Sequence, residues 1–451
     1  MVTNDPRGRI IRDGAVLLEE GRIADVGRSE ELRRKHPSAE FKQDASGKVV
    51  IPGLVQAHTH VMGHLFKGFS EENEQIFYGK CLPMEQFIEE SDAYWLSLIG
   101  AIEALKFGTV LINDIFHYSR QTARAVKDLG MRAVIEHKVF DVKALSNIQR
   151  MDYRRDYEAG ERRLKENERL IREWNGAESG RIRAWVGNHA PDTNSPELLR
   201  AGRKLADKHR VGIHTHVAQS TREVRYVKRA YGKTSVEFLD GLGFLKDDVV
   251  CAHLVFATKS DIKILERTNA CMVHCPGVMG KFGAFPLIKE FLQSRVRMGM
   301  GSDWISLNPW VDMRTGIRIA RVVTGDVGVL DPYMVFRLMT LGSAGVLRQG
   351  RDLGSLEPGK KADLVLIDQK RANLTPMRDV VPDLIYNMTG SEVEEVIVDG
   401  RKVVESGKVV LVDEEKAIAR AQEVSEAIWE RGGVARPRRV ETNAARGPRA
   451  R

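Results

Sequence analysis

Ile51-Pro-Gly-Leu-Val-Gln-Ala-His-Thr-His60 decides how this chain is read. Pro52 and Gly53 punctuate the stretch, and an apolar run from Leu54 ends in two histidines, His58 and His60. On a strand, residues two apart point to one side, roughly 7 Å apart along the chain. Two imidazoles on one side of a strand end make half of a metal site.

Downstream of it the pattern alternates. Apolar residues from Tyr94 to Leu105 recur at helical period, Gly108 stops them, and Thr109 to Asn113 reads as a strand. The same alternation repeats to residue 302. Counting from Val50, strands are predicted at 50–58, 109–113, 132–138, 182–188, 211–217, 248–253, 270–275 and 296–302. Eight strand–helix units in about 250 residues predict an α/β fold, a closed (β/α)8 TIM-type barrel. A doubly wound open sheet fits less well, because no Gly-x-Gly-x-x-Gly follows an early strand.

The ends read differently. Short strands at 11–27 match hairpin-type strands near 364–368 and 393–404 in length and type. They predict a small β-sandwich domain built from both chain ends. The expected boundaries are 1–49 and 351–412 for the two parts of that domain, 50–350 for the barrel and 413–433 for a closing helix. Residues 434–451 read as a basic disordered tail.

That tail explains the charge. The chain has 451 residues and a formal net charge of +8, and six arginines against Glu441 in the tail carry five of those charges. A basic tail rich in Ala, Gly and Pro is no nucleic-acid groove. No apolar run is long enough to span a membrane. The four cysteines (Cys81, Cys251, Cys271, Cys275) are too few and scattered for a disulfide framework and read as buried reduced thiols. With a polar, charged start from Met1 to Arg12, the expected location is the cytoplasm.

A barrel collects its functional residues at the C-terminal ends of its strands. His58 and His60 end strand one, His189 strand four, His216 strand five, His253 strand six and Asp303 strand eight. Five of the twelve histidines thus fall where a central pocket would be.

These motifs resemble the amidohydrolase superfamily, on its aminohydrolase branch of deaminases and chlorohydrolases. The likeness covers nearly the whole chain. Pro52 to His60 is similar to the family's first-strand motif, and His189-Ala-Pro-Asp-Thr193 to its His-Ala-Pro-Tyr-Thr, with Asp192 in the tyrosine's place. Val273-His-Cys-Pro-Gly-Val-Met-Gly-Lys-Phe-Gly283 and Gly354-Ser-Leu-Glu-Pro-Gly-Lys-Lys-Ala-Asp363 match two further stretches. Relatives usually carry one more strand before Thr3.

The resemblance implies a metal-dependent hydrolase acting on an amino- or halo-substituted N-heterocycle. His58, His60, His216 and Asp303 would hold one divalent metal, zinc as the first choice and ferrous iron as the second. His253 and Asp303 would handle the attacking water, and His189, Gln219 and Trp304 would contact substrate. His214, two residues before His216, is expected behind the ligands. The absence of a lysine at the end of strand four argues against a carbamylated two-metal centre. The expected partner is a small heterocyclic substrate, with neither nucleic acid nor membrane, in a homodimer. Other readings are a cyclic-amide hydrolase of the same superfamily and a metal-binding, non-catalytic member.

One position departs. The family's His-x-x-Glu after strand five supplies a proton-shuttling carboxyl, and this chain has Gln219 there. An amide orients and polarises but is no general acid. Three consequences stand side by side: a substrate with a better leaving group, Glu223 one turn on as the substitute, or weakened catalysis.

Overall fold

Eight parallel runs of strand form the middle of the chain in this computed structural model, which describes residues 1–40, 43–69, 77–304 and 306–433. The first strands are β1 (Gly14–Glu19), β2 (Arg22–Arg28) and β3 (Lys48–Pro52). The barrel follows with β4 (Leu54–His60), β5 (Thr109–Phe116), β6 (Arg132–Val139), β7 (Ile182–Ala184) and β8 (Val186–Asn188). It continues with β9 (Ile213–Val217), β10 (Val249–His253), β11 (Cys271–His274), β12 (Met298–Met300) and β13 (Asp303–Trp304). The last strands are β14 (Leu364–Asp368), β15 (Val393–Val398), β16 (Arg401–Glu405) and β17 (Lys408–Val409).

All barrel pairings are parallel, and β12 and β13 are two halves of one run. β12 pairs with β11 and β13 with β4, so the run from 298 to 304 closes the barrel. Gly301 lies between the halves, where a Cβ would meet the His58 carbonyl oxygen at 2.4 Å. A side chain there would push the closing strand off the first one. β4 and β5 are buried along their whole length, as parallel strands covered on both faces should be.

The first barrel strand differs from its predicted span. The apolar residues from Val49 to Val55 belong to two strands, β3 and β4. β3 pairs antiparallel with β14, in register from Lys48↔Asp368 to Pro52↔Leu364. The chain then passes into the barrel at Gly53, whose N–H donates to the Asp363 carbonyl (3.0 Å). The barrel therefore starts at Leu54 rather than at residue 50. The predicted fourth strand is likewise broken at Trp185.

The two chain ends meet as predicted. A five-stranded antiparallel sheet in the order β17-β16-β15-β14-β3 faces the two-stranded β1-β2 sheet. Ile23, Val26, Leu356, Leu364, Leu366 and Ile397 fill the space between them. The helix Glu414–Arg431 then lies against the barrel, with Trp429 Nε1 donating to the Leu65 carbonyl at 3.3 Å. No described helix is long and apolar enough to cross a membrane. The tail from 434 lies outside the described residues.

Candidate active site and metal centre

His58 and His60 sit at the end of β4, His216 in β9, His253 at the end of β10 and Asp303 at the start of β13. Parallel strands bring all these ends to one face. The ligand nitrogens of His58, His60 and His216 lie within 4.8 Å of one another. Asp303 Oδ1 is 3.4 Å from His58 Nε2 and 3.2 Å from His60 Nε2. Asp303 also groups with His58 and Cys275 within 4.8 Å, a proximity the sequence reading of Cys275 as a buried thiol did not anticipate.

The hydrogen bonds fix which nitrogen faces inward. His60 Nδ1 donates to the Ile115 carbonyl (2.7 Å) and His216 Nδ1 to the His189 carbonyl (2.6 Å). Their Nε2 atoms, 3.3 Å apart, therefore face each other as two lone pairs with no proton between them. His58 Nε2 is buried and has no hydrogen-bond partner among the described residues. Two nitrogens each about 2.1 Å from one tetrahedral ion lie about 3.4 Å apart. A divalent cation resolves both the facing lone pairs and the orphan nitrogen, so these residues fit a single metal. Burial agrees. It pushes His58 and His216 below the usual imidazole pKa, which keeps them in the neutral form that binds metal. Burial opposes charge on Asp303, but the surrounding imidazoles outweigh it and hold its carboxyl well below the usual range.

His214 stands behind this cluster. Its Nε2 faces His58 Nδ1 at 2.8 Å and its Nδ1 faces Glu136 Oε2 at 3.2 Å. A proton on His58 Nδ1 pointing to His214, and one on His214 Nδ1 pointing to Glu136, leave the His58 lone pair turned inward. His253 Nε2 approaches Asp303 Oδ2 at 3.6 Å, and burial lowers its pKa to about 3. His253 and Asp303 both hold left-handed backbone, with φ of 79° and 64°. Such strain in residues without glycine's freedom clusters at functional sites.

One pocket opens over the cluster. His60, His189, His216, Gln219, His253, Asp303 and Trp304 all line it, so the sequence-predicted residues other than buried His58 share one cavity. Trp304 stacks on Phe66 (ring centroids 5.1 Å, planes 11° apart) and meets Phe77 edge-on at 5.2 Å. Glu223 does not line it. Its carboxylate instead accepts the backbone N–H groups of Ala218 (2.7 Å) and Gln219 (2.8 Å). That orientation turns Glu223 away from substrate, so it is no direct substitute for a carboxyl at 219.

Among the lining residues that escaped the sequence reading are the charged Glu85 and Lys138. Lys138 Nζ bonds both Glu85 oxygens at 3.0 Å, and His117 Nε2 reaches Glu85 Oε2 at 2.8 Å. Burial disfavours the Glu85 charge, but Lys138 and His117 more than offset it, and its pKa falls to about 2. Lys138 lies two residues beyond Glu136 near the end of β6, so the alternation that marked His58 and His60 also marks it. Glu85 comes from a short 3-10 turn after β4, and nothing in its local sequence points to a barrel mouth.

The chain is similar to several known proteins. The chain is 33% identical over 442 residues to the 5'-deoxyadenosine deaminase of Methanosarcina acetivorans, covering 96% of this chain and 98% of that one. It is 32% identical over 422 residues to the 5-methylthioadenosine/S-adenosylhomocysteine deaminase of Pelotomaculum thermopropionicum, covering 92% and 93%. Among solved structures, a zinc-bound adenosine deaminase from Xanthomonas campestris superposes with a TM-score of 0.87 at 24% identity, over 95% and 97% of the two chains. Zinc-complexed atrazine chlorohydrolase from Arthrobacter aurescens gives 0.83 at 21%, over 94% and 98%. A short match to an imidazolonepropionase-like composite domain of bacteria covers residues 14–39. The amidohydrolase family model matches residues 49–403, and the chain belongs to the amidohydrolase family.

Proposed function

We propose that this enzyme hydrolyses the amino group from the base of an adenosine-derived nucleoside, releasing ammonia. The observation that carries it is the inward-facing His58, His60 and His216 with Asp303 at the floor of an aromatic-walled pocket. Phe77, Phe282 and Trp304 offer walls for a flat heterocycle. Glu85 and Lys138 offer a polar end to a hydroxyl-bearing group. Relatives that deaminate 5'-substituted adenosines support this substrate class.

His58, His60, His216 and Asp303 would hold the metal, which we take to be zinc. When bound, such an ion acidifies water to a pKa of roughly 7. Asp303 Oδ2 accepts the proton of the attacking water, and His253 Nε2, beside that oxygen, steers it toward the ring carbon. His189 fixes one pocket wall through its Nδ1 contact to Thr193 Oγ1 (2.9 Å). Gln219 orients a ring nitrogen, and Trp304 narrows the space for the base.

Gln219 favours a second reading, loss of a better leaving group such as chloride, because no carboxyl stands at that position. The test compares ammonia release from 5'-deoxyadenosine with chloride release from its 6-chloro counterpart. Metal-loaded protein should release ammonia, and a chelator should abolish it. Chloride release alone would select the second reading, and neither product would overturn both.

We also propose a cytoplasmic homodimer. Four free buried thiols suit a reducing compartment. Val322, Val323 and Val327, 83%, 55% and 78% exposed, offer an apolar face to a second copy. Light scattering giving one chain's mass would count against the dimer.

A further inference from the structure

Two departures from the family pattern share one pocket. Asp192 stands where the strand-four motif carries tyrosine, and Gln219 where the strand-five motif carries a proton-shuttling glutamate. Asp192 is 3% exposed. Its Oδ2 accepts from the Tyr153 hydroxyl at 3.0 Å, while its Oδ1 is buried with no hydrogen-bond partner among the described residues.

Among the described residues no cation bonds this carboxyl. Neighbouring Arg155 is engaged elsewhere, by Nη1 to Asp141 Oδ1 (2.8 Å) and by Nη2 to the Asp192 carbonyl (3.0 Å) and the Tyr226 hydroxyl (2.9 Å). Lys138 is taken by Glu85. Glu223, from the helix that follows Gln219, adds a second buried carboxyl. Burial raises both pKa values, and the Asp192 charge adds to the rise at Glu223. Two buried carboxyls near one another each disfavour the other's charge. Glu223 accepts two backbone N–H donors, which favour its ionised form. Asp192 is the member that lines the pocket, and with burial raising its pKa to about 6 its acid form is the one a ligand there would meet at mildly acid pH. A buried carboxyl with an idle oxygen costs stability, which fits a group kept for chemistry.

We propose that Asp192 protonates the heterocycle during ammonia release, doing from the end of strand four what Gln219 cannot do from the end of strand five. This rests on the deaminase reading above. The oxygen of water bonds the amino-bearing ring carbon as its proton passes to Asp303. The Asp192 proton goes to the adjacent ring nitrogen, which takes the C=N electron pair. Asp303 then passes its proton to the amino nitrogen, the C–N bond breaks with its pair on nitrogen, and ammonia leaves. The new hydroxyl returns its proton to Asp192, leaving a ring carbonyl and N–H. One water enters and one ammonia departs.

The test is Asp192→Asn, which keeps the shape and an acceptor for Tyr153. Its kcat/KM for ammonia release should fall by about 10²–10⁴-fold, the usual worth of general acid–base help. Chloride release from the 6-chloro analogue and metal content should stay near wild type. Because the protonated form acts, wild-type ammonia release falls as pH rises through the elevated Asp192 pKa, and this limb should vanish in Asp192→Asn. Adding Gln219→Glu to that variant should restore ammonia release. Equal losses on both analogues, a change in KM alone, or a persisting limb would overturn the assignment. Should Asp192→Asn fail to fold, Tyr153→Phe removes a donor to the ionised carboxylate and should move the limb to higher pH; an unmoved limb overturns it equally. A metal-loaded wild type that releases no ammonia from any aminated heterocycle sinks the deaminase reading. An active wild type matched by Asp192→Asn sinks the Asp192 role alone.

Discussion

His214 shows how much a single residue behind the site governs. It touches no proposed substrate, yet it decides which way the His58 lone pair points. Partners of this kind typically tune metal affinity by 10–100-fold. His214→Phe keeps a ring of similar size at a fully buried position and removes the acceptor for His58 Nδ1. The expected outcome is metal loss at 10–100-fold lower chelator concentration, with the far-ultraviolet circular dichroism of the wild type. A chelator midpoint identical to wild type would mean that His58 is oriented by something other than His214. At this scale the sequence was informative where the strand period applied. His58, His60 and His216 were legible because each ends a recognisable strand. Glu85 was not, because a 3-10 turn carries no period that aims a side chain.

At the scale of elements, one ion triad joins the barrel to the end-built sheets. Arg132 opens β6 and is 2% exposed. Its Nε and Nη2 bond the two Asp363 oxygens at 2.6 and 3.0 Å, and its guanidinium also pairs with Asp399. Asp363 directly precedes β14, and Asp399 follows β15. Removing one member of a buried pair leaves an uncompensated charge and costs about 3–5 kcal/mol. Arg132→Leu should lower unfolding stability by that amount in denaturant titration, and pairing it with Asp363→Leu should recover part of the loss. An unchanged midpoint for Arg132→Leu would show that Asp363 finds another partner or water. None of this was legible from the sequence, since 231 residues separate Arg132 from Asp363 and no local pattern links them. The splitting of the first predicted strand has a related cause. β3 and β4 are both apolar, and composition alone cannot tell the sheet partner of one from the barrel partners of the other. Only Pro52 and Gly53 mark the change.

For the whole molecule, the decisive point is that the proposed metal ligands come from the first, fifth and eighth strand runs. An ion held by His58, His60, His216 and Asp303 would tie the barrel's closing seam to its far wall. That set of nitrogens and oxygen exists only in the folded chain, so such an ion would bind the native state and stabilise it by mass action. At a free metal concentration a thousandfold above Kd the gain is about 4 kcal/mol. Stripping the protein with a chelator should therefore lower Tm reversibly, and His60→Ala should abolish the metal-dependent part of the shift. The strand pairings that close the barrel involve backbone groups, so the stripped protein should keep its fold and unfold in one transition at the lower temperature. Refilling separate samples with zinc and, without air, with ferrous iron would show which ion restores both Tm and ammonia release. Equal Tm values for the stripped and refilled protein at saturating metal would show that the four side chains do not share an ion, whatever their spacing.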